Sequence, residues 1–384
     1  MAPANATWVS AARASARRVT AAAAAESGGE AGDHHGSAVL TVMTWNVQLL
    51  AVSVGTPAQL AARAAKLAAR IVELSADVVC LQEVFDARAR AALLQGLAPA
   101  YDVAYAPADA ARCGLVIMAR GGLTLQATAF HRFSGARGAE AWLFDKGAAG
   151  ALLMLPAGRD GEVDSDGCSA DATLALPSSA ASAPKRASCV VIINTHTQSN
   201  YWAPSERCGA WLHRTVATVH VMALHSLMSA LTRSARSARA AQALELRAFF
   251  GRMCAAAAEA GLAVRGALIA GDLNAAAGSP EAVAMLTALR APQTRDLAEP
   301  ACAGVSADDA SFPLGAWKAK LGAYALAVPT ARLDYILDAS AAARADRKPL
   351  RHAEAAVERR IAADDDTVLL SDHAAVIAAV ALPC

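Results

Sequence analysis

The chain has 384 residues, which is enough for one large domain or two small ones. Its 35 basic and 34 acidic side chains nearly cancel, so the composition gives no general support for a surface that neutralises nucleic-acid phosphates. No uninterrupted apolar segment reaches the roughly 18–20 residues that span a bilayer, so we expect no transmembrane helix, while contact with a membrane surface stays open.

Strand and helix patterns alternate from Ala38 to the end of the chain. In chain order, they predict a strand at 38–50, an amphipathic helix at 57–74, a strand at 76–84, a helix at 86–97, strands at 113–120, 148–156 and 189–198, helices at 209–228 and 238–261, and strands at 265–274, 332–339 and 373–382. Continuous apolar strands bounded by helices are typical of a sheet core that is covered on its faces. The chain is therefore predicted to be an α/β protein.

Two segments lack this alternation. Residues 1–38 are rich in Ala, Ser and Arg, and their first acidic residue is Glu26, a pattern typical of a disordered tail or an organelle-targeting peptide. A Gly-, Pro- and Ser-rich stretch at about 157–188 separates two strands and predicts a flexible surface insertion. We therefore expect a tail at 1–38, followed by one domain at 39–384 that carries this insertion.

Polar residues follow the apolar runs where the strands end. The run VVCLQEV ends near Glu83, although a buried carboxylate is costly unless it is solvated, paired or bound to a cation. Five further strand ends carry polar residues, namely Asn46, Asn194 with His196, Asp272 with Asn274, Asp334, and Asp372 with His373. If these ends meet, their oxygens suit Mg²⁺, and a histidine beside a carboxylate can take a proton from water. The pattern predicts metal-assisted hydrolysis of a phosphate ester.

Six short motifs carry a family resemblance. TWNV, LQEVFD, NTHTQ, AGDLN, RLDYI and SDH occur in the order found in the endonuclease/exonuclease/phosphatase superfamily, over roughly residues 40–382. The resemblance implies a four-layered α/β sandwich of two packed mixed β-sheets flanked by helices, the DNase I-like fold. Within the superfamily, CLQEVFDARA and DKGAAGALLM most resemble the neutral sphingomyelinases, which have a Gln-Glu-Val-Phe/Trp run and a Lys-Gly pair before a strand.

The same resemblance implies a role for each matching residue. Glu83 resembles the principal Mg²⁺ ligand, with Asn46 beside it and Asp372 near the metal. His373 resembles the general base, which Asp334 orients. The remaining matches act on water or substrate: Asp272 and Asn274 position the water and stabilise the transition state, His196 contacts the phosphate, and Lys146 engages the phosphate or the polar head group.

Two departures from the family pattern bear on the substrate. Gln48 stands where many nucleases of the superfamily have an acidic residue, which weakens the nuclease interpretation. Asp145 precedes Lys146 where sphingomyelinases tend to have a small or amide residue, so the task of the lysine stays open.

The favoured hypothesis is a metal-dependent phosphoric diester hydrolase that cleaves a phospholipid at a membrane surface, splitting sphingomyelin into ceramide and phosphocholine. Mg²⁺ is the expected cofactor, with Mn²⁺ as the second choice. The alternative is a nuclease or inositol-phosphate phosphatase that uses the same pit, although no basic groove for nucleic acid is evident. A binding module without activity is disfavoured, because every catalytic position of the family pattern is filled.

Some interpretations stay open in the sequence. Asp334 could instead pair with Arg332, and Tyr201 with Trp202 could form an apolar lip for a lipid or simply pack. Eight cysteines without a C-x-x-C pair do not fix the compartment. A cytoplasmic or peripheral membrane location is favoured, with organelle targeting by the tail as the alternative.

Overall fold

The computed structural model describes residues 38–50, 56–105, 112–135, 144–156, 186–198, 218–289, 295–297, 333–343, 350–358, 371, 373 and 375–382. Several predictions fall on residues outside these ranges, namely those for the tail up to residue 37, most of the insertion (157–185), Tyr201, Trp202, Arg332 and Asp372.

The described ranges contain strands and helices in alternation. The strands are β1 Ala38–Leu49, β2 Val78–Val84, β3 Tyr101–Tyr105, β4 Val116–Arg120, β5 Thr124–Arg132, β6 Gly147–Met154, β7 Ser188–His196, β8 Ala263–Asp272, β9 Arg295–Asp296, β10 Asp334–Asp338, β11 Arg351–Glu358 and β12 Ala375–Leu382. The helices are α1 Pro57–Leu74, α2 Ala87–Leu97, α3 Thr218–Glu259, α4 Pro280–Leu289 and α5 Ser340–Ala343. Within the described ranges, no helix combines the length and the apolar character needed to cross a bilayer.

The strands form two mixed sheets of six strands each. The first has the order β11-β12-β1-β2-β4-β3 and the second the order β5-β6-β7-β8-β10-β9. One central pair in each sheet is parallel, β1 with β2 and β7 with β8, whereas the other described pairs are antiparallel. Parallel neighbours need a crossover connection, and α1 and α3 lie in the two crossovers.

The two sheets pack face to face, and helices cover their outer faces. Alternate residues of β1 point to opposite sides: Leu40 and Val42 lie in the core between the sheets with Ile192 of β7, whereas Met43 packs with Ile71 of α1. A third apolar cluster joins α3 and α4 to the outer face of the second sheet. The molecule therefore has the four-layered α/β sandwich architecture, and the fold prediction is confirmed.

One helix prediction is wrong, and four strands, β3, β5, β9 and β11, were not predicted. Separate helices were expected at 209–228 and 238–261, but Thr218–Glu259 is one continuous helix. The intervening residues SALTRSARS contain neither Gly nor Pro, so no strong helix breaker separates the two segments. The strands β3, β5 and β11 lie at sheet edges, where polar residues replace the long apolar runs of central strands.

Side-chain caps fix where α1 and α2 begin. Thr56 and Gln59 form a capping box at the start of α1, with the Thr56 backbone N donating to Gln59 Oε1 at 2.7 Å. Asp86 Oδ1 accepts from the backbone N of Ala89 at 2.8 Å, so this acid of the LQEVFD motif caps α2. Asp86 therefore has a structural task, unlike Glu83, three residues earlier.

Candidate active site

The polar strand ends meet because of the way the strands pair. In the first sheet, the parallel register sets Asn46 of β1 beside the residue that precedes Glu83. In the second sheet, His196 of β7 and Asp334 of β10 both lie opposite Asp272 of β8. All five side chains are buried, and they form one cluster at the same end of the two facing sheets.

Asn46 joins the two sheets at the centre of this cluster. Its Nδ2 donates to Glu83 Oε1 and to Asp272 Oδ2, each at 3.0 Å. One carboxylate comes from each sheet, and their residues are only 6% and 1% exposed. Buried carboxylates this close together require a cation or strong hydrogen-bond donors beside them. The geometry therefore makes an oxygen-rich pocket suited to positive charge.

The backbone at Glu83 takes an unusual turn. Its φ of 60° lies in the left-handed region, which residues other than glycine rarely adopt. Two backbone hydrogen bonds fix the chain just beyond it, from Val84 N to Gly114 O at 2.9 Å and from Phe85 N to Leu49 O at 3.2 Å. Strained backbone that is held by its surroundings is common at functional sites. The end of β2 is thus a fixed turn that presents a carboxylate.

His196 lies between the two carboxylates and a lysine. Its Nε2 is 3.7 Å from Glu83 Oε1, 3.6 Å from Asp272 Oδ2 and 2.7 Å from Lys146 Nζ. Burial, together with Lys146 and His373, lowers the pKa of His196 well below its usual value, so the ring is neutral at pH 7. Because the amino group donates to Nε2, the ring proton is on Nδ1.

Asp145 does not take Lys146 as its partner. Asp145 Oδ1 lies 3.0 Å from Arg132 Nη2 and 3.9 Å from Arg112 Nη2, and both arginines are exposed at the surface. Lys146 is itself buried, with its Nζ at His196. Asp145, which is unusual for the family pattern, therefore pairs with the two arginines, and Lys146 points into the cluster at His196.

Hydrogen bonds orient His373 in the way that a general base requires. Its Nδ1 lies 2.8 Å from Asp334 Oδ2, and its Nε2 lies 3.9 Å from Asp272 Oδ2. Its backbone carbonyl accepts from Trp45 Nε1 at 2.8 Å. The aspartate fixes the tautomer with the proton on Nδ1, which leaves the Nε2 lone pair facing the carboxylate pocket.

Asp272 and Asn274 are linked through their own chain segment. The backbone N of Asn274 donates to Asp272 Oδ1 at 2.8 Å, and Asn274 Nδ2 donates to the carbonyl of Thr197 at 3.0 Å. Burial, and then the neighbouring Asp334 carboxylate, raise the pKa of Asp272 to about 6. Asn274 thus connects the segment after β8 to the segment that follows His196.

A model of the endonuclease/exonuclease/phosphatase family matches residues 43–373, which include every site residue described above. The chain belongs to this family. Its members are metal-dependent phosphoric diester hydrolases, so the chain is a phosphodiesterase of the endonuclease/exonuclease/phosphatase family. Among curated proteins, a sequence search gives no significant match.

Solved structures with the family fold resemble the chain over most of its length. Sphingomyelinase C from Streptomyces griseocarneus is 20% identical, with 90% of this chain and 100% of that chain covered and a TM-score of 0.52. TDP2 from Caenorhabditis elegans is 16% identical, with 94% and 80% covered and a TM-score of 0.53. Beta toxin from Staphylococcus aureus is 18% identical, with 88% and 99% covered and a TM-score of 0.50. At these identities, the likeness shows the fold alone.

The donor set of this family member fits a divalent cation. Glu83 and Asp272 supply carboxylate oxygens on either side of the Asn46 amide, which is the oxygen chemistry that Mg²⁺ prefers. Oxygens of Asp272 and Asp334 and a ring nitrogen of His373 also lie within 4.8 Å of one another. The predicted ligands Glu83 and Asn46 are thus in one pocket with Asp272, whereas Asp372 lies outside the described residues.

Two residues that support the site were not predicted to have a role in it. Ser371 Oγ donates to the Asn46 carbonyl at 2.5 Å and accepts from His373 N at 3.1 Å, so it fixes the two relative to each other. Gln82 Nε2 donates to Asn194 Oδ1 at 2.7 Å and ties the first sheet to the second. The motifs SDH and LQEV contain these residues, but their contacts depend on how distant segments pack.

Asp272→Asn is expected to gain stability relative to the wild type as the pH rises from 4 to 7 in metal-free protein. The pKa of Asp272 is raised to about 6 in the folded protein, against 3.8 for an ordinary aspartate, so the folded state holds its proton longer and loses stability as the pH rises. An asparagine cannot titrate and removes this loss, which amounts to at most about 3 kcal/mol. Thermal melts of both proteins with a chelator, at several pH values, measure this difference in stability. A difference in Tm that does not change with pH would contradict the raised pKa of Asp272.

Proposed function

We propose that the protein is a Mg²⁺-dependent phosphodiesterase that hydrolyses sphingomyelin to ceramide and phosphocholine at a membrane surface. The observation that carries the proposal is the convergence of Glu83, Asp272 and His373 from both sheets around the Asn46 amide. This cluster has a base, buried carboxylates and a neutral imidazole within a few ångströms, which are the parts that hydrolysis of a phosphate ester needs.

His373 takes the proton in this mechanism. Asp334 accepts the Nδ1 hydrogen, and Nε2 receives a proton from the attacking water. The water oxygen bonds to phosphorus while the bond from phosphorus to the ceramide oxygen breaks. The ceramide oxygen leaves as an alkoxide that takes a proton from solvent, and His373 returns its proton to solvent, which restores the base. Asp272, whose Oδ2 is 3.9 Å from Nε2, lies where it can orient the water.

Lys146, positioned by His196, acts on the phosphoryl oxygens. The Lys146 amino group is a donor buried beside the carboxylates, and the neutral His196 ring accepts from it at 2.7 Å and holds it in place. Donors that are fixed before the reaction stabilise the charge that develops on the phosphoryl group without reorganising. Mg²⁺ held by Glu83 and Asp272 would neutralise the same oxygens and the leaving group.

A pair of aromatic rings supports a choline head group. Phe85 follows Glu83 by two residues, and Phe144 precedes Lys146 by two residues. Their ring centroids are 4.4 Å apart, and both residues are partly exposed. Aromatic faces attract quaternary ammonium groups, which phosphocholine carries and nucleic acid lacks. One of the similar solved structures is a sphingomyelinase C, which also supports a sphingomyelin substrate.

Two exposed arginines favour the second candidate, a nuclease or inositol-phosphate phosphatase. Arg112 and Arg132 flank Asp145, next to the buried Lys146. Cations in this position could contact further phosphates of a polyanionic substrate. A similar structure, TDP2 from D. rerio, was solved with a single-strand DNA product and has a TM-score of 0.51.

A substrate panel tests the proposal. The purified protein is assayed with sphingomyelin vesicles, phosphatidylcholine vesicles, single-stranded DNA and an inositol polyphosphate, each with Mg²⁺ and with a chelator. We expect release of phosphocholine from sphingomyelin in Mg²⁺ and none with the chelator. Faster hydrolysis of DNA or of the inositol polyphosphate would overturn the lipid assignment.

A matched pair of surface variants sharpens the same test. Phe144→Ala is expected to raise KM for sphingomyelin and leave hydrolysis of bis(4-nitrophenyl) phosphate unchanged, because that probe has no quaternary ammonium. Arg132→Ala is expected to leave sphingomyelin hydrolysis unchanged. The reverse pattern would favour a polyanionic substrate.

A further inference from the structure

Two arginines on opposite helices are buried beneath the site. Arg63 of α1 is 3% exposed and Arg239 of α3 is 0% exposed. Burying a guanidinium is costly unless its donors are bound and its charge is balanced. Each arginine lies on the outer side of a different sheet: Arg63 donates to backbone carbonyls near the end of β1, and Arg239 donates to a backbone carbonyl just past the end of β7.

Arg239 holds the segment after His196. Its Nη1 donates to the Gln198 carbonyl at 2.8 Å, while its Nε donates to Glu281 Oε1 of α4 at 2.7 Å. The backbone N of Gln198 donates to Gln242 Oε1, one turn further along α3, at 2.9 Å. Burial lowers the pKa of Arg239, and the Glu281 carboxylate opposes that shift. Both polar groups of the Gln198 backbone are therefore fixed by α3.

The contacts of α3 with Gln198 are connected to the site through a few hydrogen bonds. Gln198 lies two residues past His196, and the residue between them, Thr197, donates from its backbone N to the Asp272 carbonyl at 3.1 Å. The Thr197 carbonyl accepts from Asn274 Nδ2 at 3.0 Å. Movement of the Gln198 backbone would thus displace the His196 ring relative to Asp272.

Arg63 makes the corresponding contacts in the first sheet. Its Nη1 donates to the Val47 carbonyl at 3.3 Å, and its Nη2 donates to the Gln48 carbonyl. Gln48 has a left-handed φ of 47°, and its backbone N donates to Asn46 Oδ1 at 3.2 Å. The arginine therefore supports a strained turn that orients the Asn46 side chain, which in turn donates to both carboxylates.

We propose that Arg63 and Arg239 are paired positioning residues, one for each sheet. Arg63 fixes Asn46 and, through it, the cation-binding carboxylates, whereas Arg239 fixes His196 and, through it, the Lys146 amino group that faces the phosphoryl oxygens. The two therefore differ in effect: loss of Arg63 weakens Mg²⁺ binding, and loss of Arg239 slows turnover. The effect on turnover rests on the proposed function, because it needs a substrate. Mg²⁺ binding is measured without substrate, so a failure of the positioning proposal can be told apart from a failure of the proposed function.

The first experiment measures Mg²⁺ binding to the full chain by calorimetry. Arg63→Met is expected to weaken Mg²⁺ binding about 10–100-fold, the range for loss of a residue that orients metal ligands. Arg63→Lys, which can donate to one carbonyl, is expected to bind Mg²⁺ with intermediate affinity. The matched control is Arg70→Met, since Arg70 is also buried on α1, at 6% exposed, but pairs with Glu73 of the same helix.

The second experiment measures kcat and KM on sphingomyelin and on bis(4-nitrophenyl) phosphate. Arg239→Met is expected to lower kcat about 10–100-fold, with KM and Mg²⁺ affinity within about twofold of the wild type. Arg239→Lys should recover part of kcat. Gln242→Met removes the other hold on Gln198 without leaving a charge unpaired, and should also lower kcat. Arg236→Ala is the control, because Arg236 is 63% exposed and 3.8 Å from the same Glu281.

Wild-type Mg²⁺ affinity in folded Arg63→Met or Arg63→Lys would overturn the role of Arg63. Wild-type kcat in folded Gln242→Met and Arg239→Lys would overturn the role of Arg239, even if Arg239→Met does not fold. Equal losses in the control variants would show a general packing effect and would overturn the positioning role. If the wild type binds Mg²⁺ but cleaves neither substrate, the proposed function is contradicted. The Mg²⁺ affinity of the Arg63 variants then still decides the positioning proposal.

Discussion

His373→Gln is expected to lower kcat about 10²–10⁴-fold, the range for loss of a general base. The imidazole is oriented by Asp334 at 2.8 Å, and its Nε2 faces the carboxylate pocket. A glutamine amide can still donate to Asp334, so the buried carboxylate keeps a partner, but the amide cannot accept the proton of water. Steady-state kinetics on sphingomyelin vesicles at saturating Mg²⁺, with Tm measured alongside, give the result.

The control for this variant is His131→Gln. His131 Nε2 lies 3.1 Å from Glu245 Oε2, and its ring stacks on Phe249, both on α3, away from the carboxylate cluster. Its kcat should match that of the wild type. A folded His373→Gln protein that keeps more than about a tenth of wild-type kcat would contradict the assignment of the base, because such a loss is too small for general-base removal.

Glu83→Gln is expected to abolish Mg²⁺-dependent turnover and to weaken Mg²⁺ binding at least about 10-fold. The substitution keeps the shape of the side chain and the acceptor for Asn46, but it removes the negative charge that a hard cation needs. Calorimetry with Mg²⁺ and initial rates across a Mg²⁺ titration measure the two effects separately.

The matched control is Glu73→Gln, which removes an acid from α1 that pairs with Arg70 and lies away from the cluster. It should bind Mg²⁺ and turn over substrate as the wild type does. If Glu83→Gln also bound Mg²⁺ normally, the cation would have to be held by another set, and the cluster of Asp272, Asp334 and His373 would be the next to test.

The sequence predicted the strand ends well because burial imposes a clear pattern on central strands. Each apolar run in β2, β7 and β8 stops at a polar residue, and parallel register sets Asn46 beside Gln82 in one sheet and His196 beside Asp272 in the other. The same runs predicted the α/β class, whereas the four-layered sandwich was implied by the family resemblance that the motifs carry. Edge strands such as β5 were missed, since their exposed residues carry no such pattern.

The contacts within the cluster could not be predicted, because they depend on how the sheets and helices sit against one another. Asn46 was expected beside the metal, but nothing in the chain order indicates that its amide joins Glu83 to Asp272. The same holds for Lys146 at His196 and for the arginines of α1 and α3. Within LQEVFD, the two acids also look equivalent, although Asp86 caps a helix.

The sharing of one amide between carboxylates of opposite sheets makes catalysis sensitive to slippage of the sandwich. Neither sheet needs to lose a strand for Glu83 and Asp272 to separate; a small slide at the apolar core between the sheets, which contains Val42 and Ile192, would suffice. Methyl-sized changes deep between the sheets would therefore reach the chemistry from a distance. In this molecule, the packing of the core and the geometry of the site are coupled through the contacts that join the two sheets there, among them the Asn46 amide.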